Sequence, residues 1–449
     1  MTVGKPFPLI LNFALPLLLG NLLIQAYSLV DAAIVGQTIG LNALAGVGAS
    51  SSVLFLILGF CTGLTGGFGI PVAQAFGAHD YARMRRYVKA SYMLSIFFAI
   101  LLSVACSLLC ADILRWMQTP EEIFDDAYIY LFITFVTIPC NLAYNLLASI
   151  IRALGDSKTP FYFLLIGAVL NIGLDFLLIL VFHMGVAGAS VATAIAQTVS
   201  FLLCAIYMNK AFPILKSPAP SAERVRWRDV WFALSIGVPM GLQFSITAIG
   251  SIMLQSANNA LGTMYATAFT AAMRIKMFFI CPFENLGVAL ATYCGQNLGA
   301  KKFDRIRAGL KDAIYIMLAY SLIAFFVVWF FARDLSTLFI AADETVLLDH
   351  SVMFLRTSCC CYAFLGILTI FRYSLQGVGK AKLSIGSGVS ELLARGLVSL
   401  FLVPVAGFFG VCVGDPLAWI AADLFLVPTF FFVLKRLRTS ELETPSSPV

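Results

Sequence analysis

The 449-residue chain predicts an all-α polytopic membrane protein: twelve transmembrane helices in two six-helix lobes related by a pseudo-two-fold axis along the membrane normal. Three observations predict it. The composition is 60% hydrophobic and only 12% charged, with a mean hydropathy of +0.93, where a soluble domain carries roughly a quarter charged residues. Apolar runs of the ~20 residues needed to cross a bilayer recur along the chain. Short sequence features of the first half return in the second. An ordinary soluble enzyme is excluded, because a chain with so little polar surface must have lipid as its main solvent.

The spans follow in order. No charged residue interrupts 6–30, 90–111, 127–151 or 313–332. The uncharged stretches 32–78 and 230–273 are too long for one span each, so each must turn, at Gly40-Leu41-Asn42 and Gly262-Thr263. This places spans 1–6 at 8–37, 44–76, 87–111, 127–153, 160–182 and 186–209. Spans 7–12 fall at 229–257, 264–298, 308–337, 347–377, 382–406 and 412–435. Strands are excluded by run length and by the lack of period-two alternation. The lobes are then 1–210 and 229–438, joined by a basic linker at 211–228 and followed by a polar, disordered tail at 439–449.

Orientation comes from the charges. The net charge is +6, and the basic residues gather at Lys5, Arg83–Lys89, Arg152–Lys158, Lys210–Arg228, Lys301–Lys311, Arg372–Lys382 and Lys435–Arg438. With twelve spans these all face one side, which the positive-inside rule makes cytoplasmic, with both termini inside. The opposite loops are bare or acidic, as at Glu121-Glu122 and Asp343-Glu344. Bases confined to short loops between spans do not form a nucleic-acid surface. The 11 cysteines lie in apolar stretches without Cys-x-x-Cys spacing and read as small hydrophobes.

The halves repeat. Gln74…Gly77-Ala78…Arg83 closes span 2, and Gln296…Gly299-Ala300…Arg305 closes span 8 at the same internal spacing. Pro16 in span 1 pairs with Pro239 in span 7, and Gly155 after span 4 with Gly379 after span 10. Equal numbers of spans make the repeat parallel, with a midplane cavity between the lobes, the plan of a rocking carrier.

A carboxylate at the bilayer centre costs about 2.5–3.5 kcal/mol on insertion scales, so each needs a reason. Asp31 lies in span 1, Asn171 and Asp175 one turn apart in span 5, and Thr193 in span 6. Their oxygens suit a Na⁺ ion, and two carboxylates in a poorly hydrated pocket suit a proton. The same residues also suit a hydrogen-bond cluster that packs spans 1, 5 and 6. Elsewhere, Glu391 and Arg395 form an i,i+4 pair, and Glu284 shares span 8 with Arg274 and Lys276. Glu284, Arg274 and Glu391 are thus secondary candidate cavity charges. Asp415 and Asp423 in span 12 show no evident partner.

With Pro16…Val30-Asp31…Val35-Gly36, Asn171-Ile172-Gly173-Leu174-Asp175, the two Gln…Gly-Ala closures and Pro416-Leu417-Ala418-Trp419, the whole chain resembles the multidrug and toxic compound extrusion (MATE) transporters, prokaryotic type. The resemblance implies a cation-coupled antiporter, driven by H⁺ or Na⁺, that exports amphiphilic, often cationic organic compounds by alternating access. It implies a cation site at Asp31, Asn171, Asp175 and Thr193, and a bend of span 1 at Pro16. The expected setting is a monomer in the bacterial cytoplasmic membrane, with the lipid bilayer and a small organic solute as partners. No nucleic acid, no cofactor beyond the coupling ion and no metal beyond Na⁺ at that site are expected. One departure stands out: another branch of the family places acids in spans 7 and 10, where this chain has Gln255, Asn258 and Asn259 and no carboxylate beyond the outer end of span 10. The rival within the wider superfamily is a lipid-linked oligosaccharide flippase, which would need several cavity bases, and few bases, chiefly Arg274, Lys276, Arg356 and Arg395, lie well within spans. A membrane-embedded enzyme is the rival from another class, but no His-Glu-x-x-His or Gly-x-Ser-x-Gly motif is present.

Overall fold

The computed structural model describes residues 1–216 and 224–442, and among these every regular element is helical. In the first half, α1 runs Pro6–Thr38, α2 Leu41–Gly77, α3 Tyr81–Leu108, α4 Cys110–Trp116, α5 Glu121–Val136 and α6 Ile138–Ala153. Then α7, Lys158–Asp175, continues as a π-helical stretch, Phe176–Val181, before α8, Val186–Ala211. The second half holds α9 Trp227–Asn259, α10 Thr263–Gly299, α11 Phe303–Ser336, α12 Thr345–Cys359 and α13 Tyr362–Gly377. It ends with α14 Ala381–Leu397, a π-helical stretch Val398–Leu402, α15 Val403–Ala406 and α16 Phe408–Leu442.

Among the described residues, ten helical stretches are long and apolar enough to cross a bilayer, and the bent pairs α5–α6 (47°) and α12–α13 (50°) complete twelve if each is one span. Pro139, at the start of α6, supplies the first bend, because proline has no N–H to continue the ladder. The second bend has no proline and turns at Cys360-Cys361, where the α13 N-cap leaves helical geometry (φ −110°, ψ 10°). Three details differ from expectation. The helix α4 was not anticipated, Arg372 lies buried in α13 rather than in a cytoplasmic turn, and the helix α16 reaches Leu442 where the tail was expected to begin. Residues 217–223 of the linker and 443–449 of the tail lie outside the described residues.

The chain separates into two compact units, an amino-terminal one, Phe13–Gly241, and a carboxy-terminal one made of Met1–Asn12 and the chain from Leu242 onward. The division falls inside α1 and α9. In the amino-terminal unit, α3 shows the pattern of a lipid-facing helix, with Met93, Ile96, Phe97, Ile100 and Val104 exposed while Ser91 and Ser95 are buried. Small residues bring helices together: a Cβ on Gly67 of α2 would run into the backbone of Gly237 in α9. In the carboxy-terminal unit, the first residues are tied to the α10–α11 corner. Arg305 donates to the Gly4 and Met1 carbonyls (2.8 and 3.2 Å), and Lys302 to that of Thr2 (3.0 Å). Burial there, with Arg305 and Lys302 nearby, holds the Met1 amine below its ordinary range.

The backbone repeats its special positions. Gly40 and Gly262 share φ 122°, His79 and Lys301 have φ 57° and 59°, and Gly185 and Gly407 have φ 60° and 55°. His79 and Lys301 close α2 and α10 in the left-handed conformation typical of helix C-caps. The following amides turn back onto the last helical turn, Asp80 to Ala75 (3.1 Å) and Lys302 to Asn297 (2.8 Å).

Candidate cation site

The amino-terminal unit assembles the four expected residues from three helices. Asp31 lies on α1, Asn171 and Asp175 share one face of α7, and Thr193 lies on α8. Asp175 is the last residue before the π-helical stretch, a local widening common at functional sites because it re-aims side chains at the junction. Asn171 is 2% exposed and Asp175 fully buried. The Asn171 amide donates to the Thr193 hydroxyl at 3.3 Å, which leaves its own carbonyl oxygen free.

The electrostatic character of the site follows from what these groups lack. Among the described residues, both Asp175 oxygens, one Asp31 oxygen and the Asn171 carbonyl oxygen are buried without a hydrogen-bond donor. Asp31 and Asp175 face each other closely enough to interact directly, and two carboxyl groups can bond to each other only when one carries a proton. A buried ionised carboxylate without a partner costs several kcal/mol. The arrangement is therefore complete only with a positive charge added, either as a proton or as a small hard cation on the oxygens.

A narrow cleft adjoins the site, lined among others by Tyr27, Tyr144, Asn171, Thr193, Gln197 and Ser200. Tyr27 and Tyr130 also stand within electrostatic reach of both acids. Sequence reasoning missed these tyrosines. Tyr27 lies one turn before Asp31 on the same helical face and was findable by spacing, whereas Tyr130 arrives from α5 through tertiary packing alone.

The secondary candidates divide. Arg274 is exposed, and the half-buried Glu284 accepts from the Tyr373 hydroxyl at 2.8 Å. Glu391 belongs to a buried chain of alternating charge. Lys276 pairs with Asp415, and Arg395 binds Asp415 (2.8 Å) and Glu391 (3.3 Å). Arg372 pairs with Glu391 and donates to Ser387 (3.1 Å). Asp415, expected to lack a partner, thus has two. The i,i+4 pair of Glu391 and Arg395 is present, but as the middle of a longer network that sequence spacing within one helix does not reveal. Asp423 is buried, and neither of its oxygens has a hydrogen-bond partner among the described residues.

Comparison with known proteins bears on the same halves. The family model MatE matches the chain twice, over residues 16–177 and 239–399. The probable multidrug resistance protein YoeA of Bacillus subtilis is 27% identical, covering 96% of this chain and 94% of that protein. YpnP of the same organism, also named a probable multidrug resistance protein, is 28% identical over 92% and 91%. Among solved structures, the outward-facing conformation of a multidrug resistance MATE family transporter of the MOP superfamily superposes with a TM-score of 0.90. It is 22% identical and covers 97% of each chain.

Proposed function

The chain belongs to the MATE family, and from that premise we propose that it is a cation-coupled antiporter exporting amphiphilic organic compounds from the cell. The names of its relatives as multidrug resistance proteins support export of organic solutes. The observation that carries the coupling is the set of buried oxygens at Asp31, Asn171 and Asp175 that have no hydrogen-bond donor among the described residues. A site short of one positive charge gains most from binding a cation and loses most from keeping an ionised pair.

In this reading, H⁺ or Na⁺ enters from outside and neutralises the Asp31/Asp175 pair. Neutralisation removes the repulsion between α1 and α7 and lets α1 bend at Pro16, where the ladder already lacks one N–H. A cationic solute then loses its electrostatic attraction to the unit and is released outward. The chain sits in the bacterial cytoplasmic membrane with both termini inside, following the distribution of its basic residues. Flippase chemistry is disfavoured by the fate of the membrane-embedded bases. Lys276 and Arg395 are held by Asp415 and Glu391, and Arg356 donates to the Trp329 carbonyl (3.1 Å).

Proteoliposomes test the proposal. Solute efflux driven by an imposed pH or Na⁺ gradient, followed with a pH indicator or radiosodium, is expected in the wild type and lost in Asp31→Asn and in Asp175→Asn. Efflux that survives in both variants rejects this mechanism.

A further inference from the structure

The recurring backbone positions put the side chains of the two halves into register. The interval from Gly155 to Gly379 carries Asn171 to Arg395 and Asp175 to Ser399. The interval from Gly185 to Gly407 carries Thr193 to Asp415 and Gln197 to Trp419, and that from Gly40 to Gly262 carries Asp31 to Met253. The hydrogen-bonded pair Asn171–Thr193 therefore has the bonded pair Arg395–Asp415 as its counterpart. In the copy, both acids of the cation site are gone, one carboxylate has appeared on the other helix, and a guanidinium stands where the amide stood.

Both oxygens of Asp415 are occupied. Arg395 Nε donates to Oδ1 at 2.8 Å, and Lys276 Nζ takes Oδ2. Lys276 is 2% exposed, and its ammonium lies over the rings of Phe354 (4.9 Å) and Trp419 (5.6 Å), a cation–π seat. Gly250 of α9 packs beside the guanidinium: a Cβ there would stand 3.4 Å from the Arg395 side chain, in van der Waals contact. Arginine does not lose its proton in proteins, so this positive charge cannot leave.

We propose that the carboxy-terminal unit holds the duplicated counterpart of the cation site with its cation built in, Arg395 and Lys276 standing where the amino-terminal unit takes an exchangeable ion. The seat at Asp415 is thus a site for guanidinium- and alkylammonium-type cations, filled by tethered ones. Its charge stays constant through the cycle, so that of the two duplicated seats only the one with Asp31 and Asp175 exchanges an ion, a consequence that rests on the proposed antiport.

Full-length protein in lipid nanodiscs tests this. In Arg395→Ala, millimolar guanidinium should recover most of the lost thermal midpoint, urea at equal concentration should not, and the wild type should respond to neither. Lys276→Ala should respond likewise to propylammonium. In an Asp31→Asn/Asp175→Asn background, adding Arg395→Asn with Lys276→Met recreates an amide beside a bare carboxylate. That protein should gain one exchangeable cation per chain, read as radiosodium uptake or proton release on solute binding, where the background shows none. Absence of both the rescue and the gain overturns the inference, as does cation exchange persisting in the background. Failure of the antiport reading shows separately, as wild-type efflux indifferent to any ion gradient, and leaves the guanidinium rescue as the test of the seat.

Discussion

The amino-terminal and carboxy-terminal units repeat one helical plan and carry opposite polar chemistry. Each has a bent pair, a π-helical stretch and left-handed residues at matching places. Yet the first buries the acid pair Asp31 and Asp175 with oxygens that lack a hydrogen-bond donor among the described residues, and the second buries, besides Asp423, a chain in which Asp415 and Glu391 each lie between two cations. Backbone devices persist because every helix in the plan depends on them for its length and direction. Side chains in the buried seats change freely provided that the local charge is balanced, by partners in one unit and, on the proposed antiport, by a visiting ion in the other.

The largest expected effect breaks the symmetry between the two seats. Glu391→Gln leaves Arg372 and Arg395 buried around a neutral amide and should destabilise the protein by about 3–5 kcal/mol, visible as a lower midpoint in thermal unfolding. Asp175→Asn should act in the opposite sense, leaving the midpoint unchanged or raised while gradient-driven efflux falls at least about tenfold. Equal destabilisation by the two substitutions would mean that the seats do not differ in kind.

The paired prolines sharpen the contrast at smaller amplitude. Pro16→Ala restores a ladder hydrogen bond in α1 and should slow efflux by about threefold to tenfold with no loss of stability. Pro239→Ala, at the matching place in α9, should leave the rate nearly unchanged, and initial rates in proteoliposomes compare the two. Smallest is the α7–α8 contact beside the cleft, where the Ser200 hydroxyl donates to the Phe163 carbonyl (3.0 Å) and a Cβ on Gly167 would strike it. Ser200→Ala should cost about 1 kcal/mol. Gly167→Ala should cost less in that background than alone, which a double-mutant cycle in thermal unfolding detects.

The sequence by itself determined the helical class, the twelve spans and the duplication, because lipid imposes a length and a composition on each span that can be counted residue by residue. It also determined the candidates Asp31, Asn171, Asp175 and Thr193, since a polar group in an apolar run is conspicuous whatever its neighbours. Only the tertiary structure decided which of these groups have partners. Tyr130 reaches the acids from α5, and Lys276 reaches Asp415 across 139 residues, distances along the chain at which helical spacing carries no information. Arg372 is the clearest case. Its place near a cytoplasmic turn suggested a topological charge, and packing made it the buried partner of Glu391, because whether a charge near a helix end meets water or an acid depends on what the neighbouring helices bring to it.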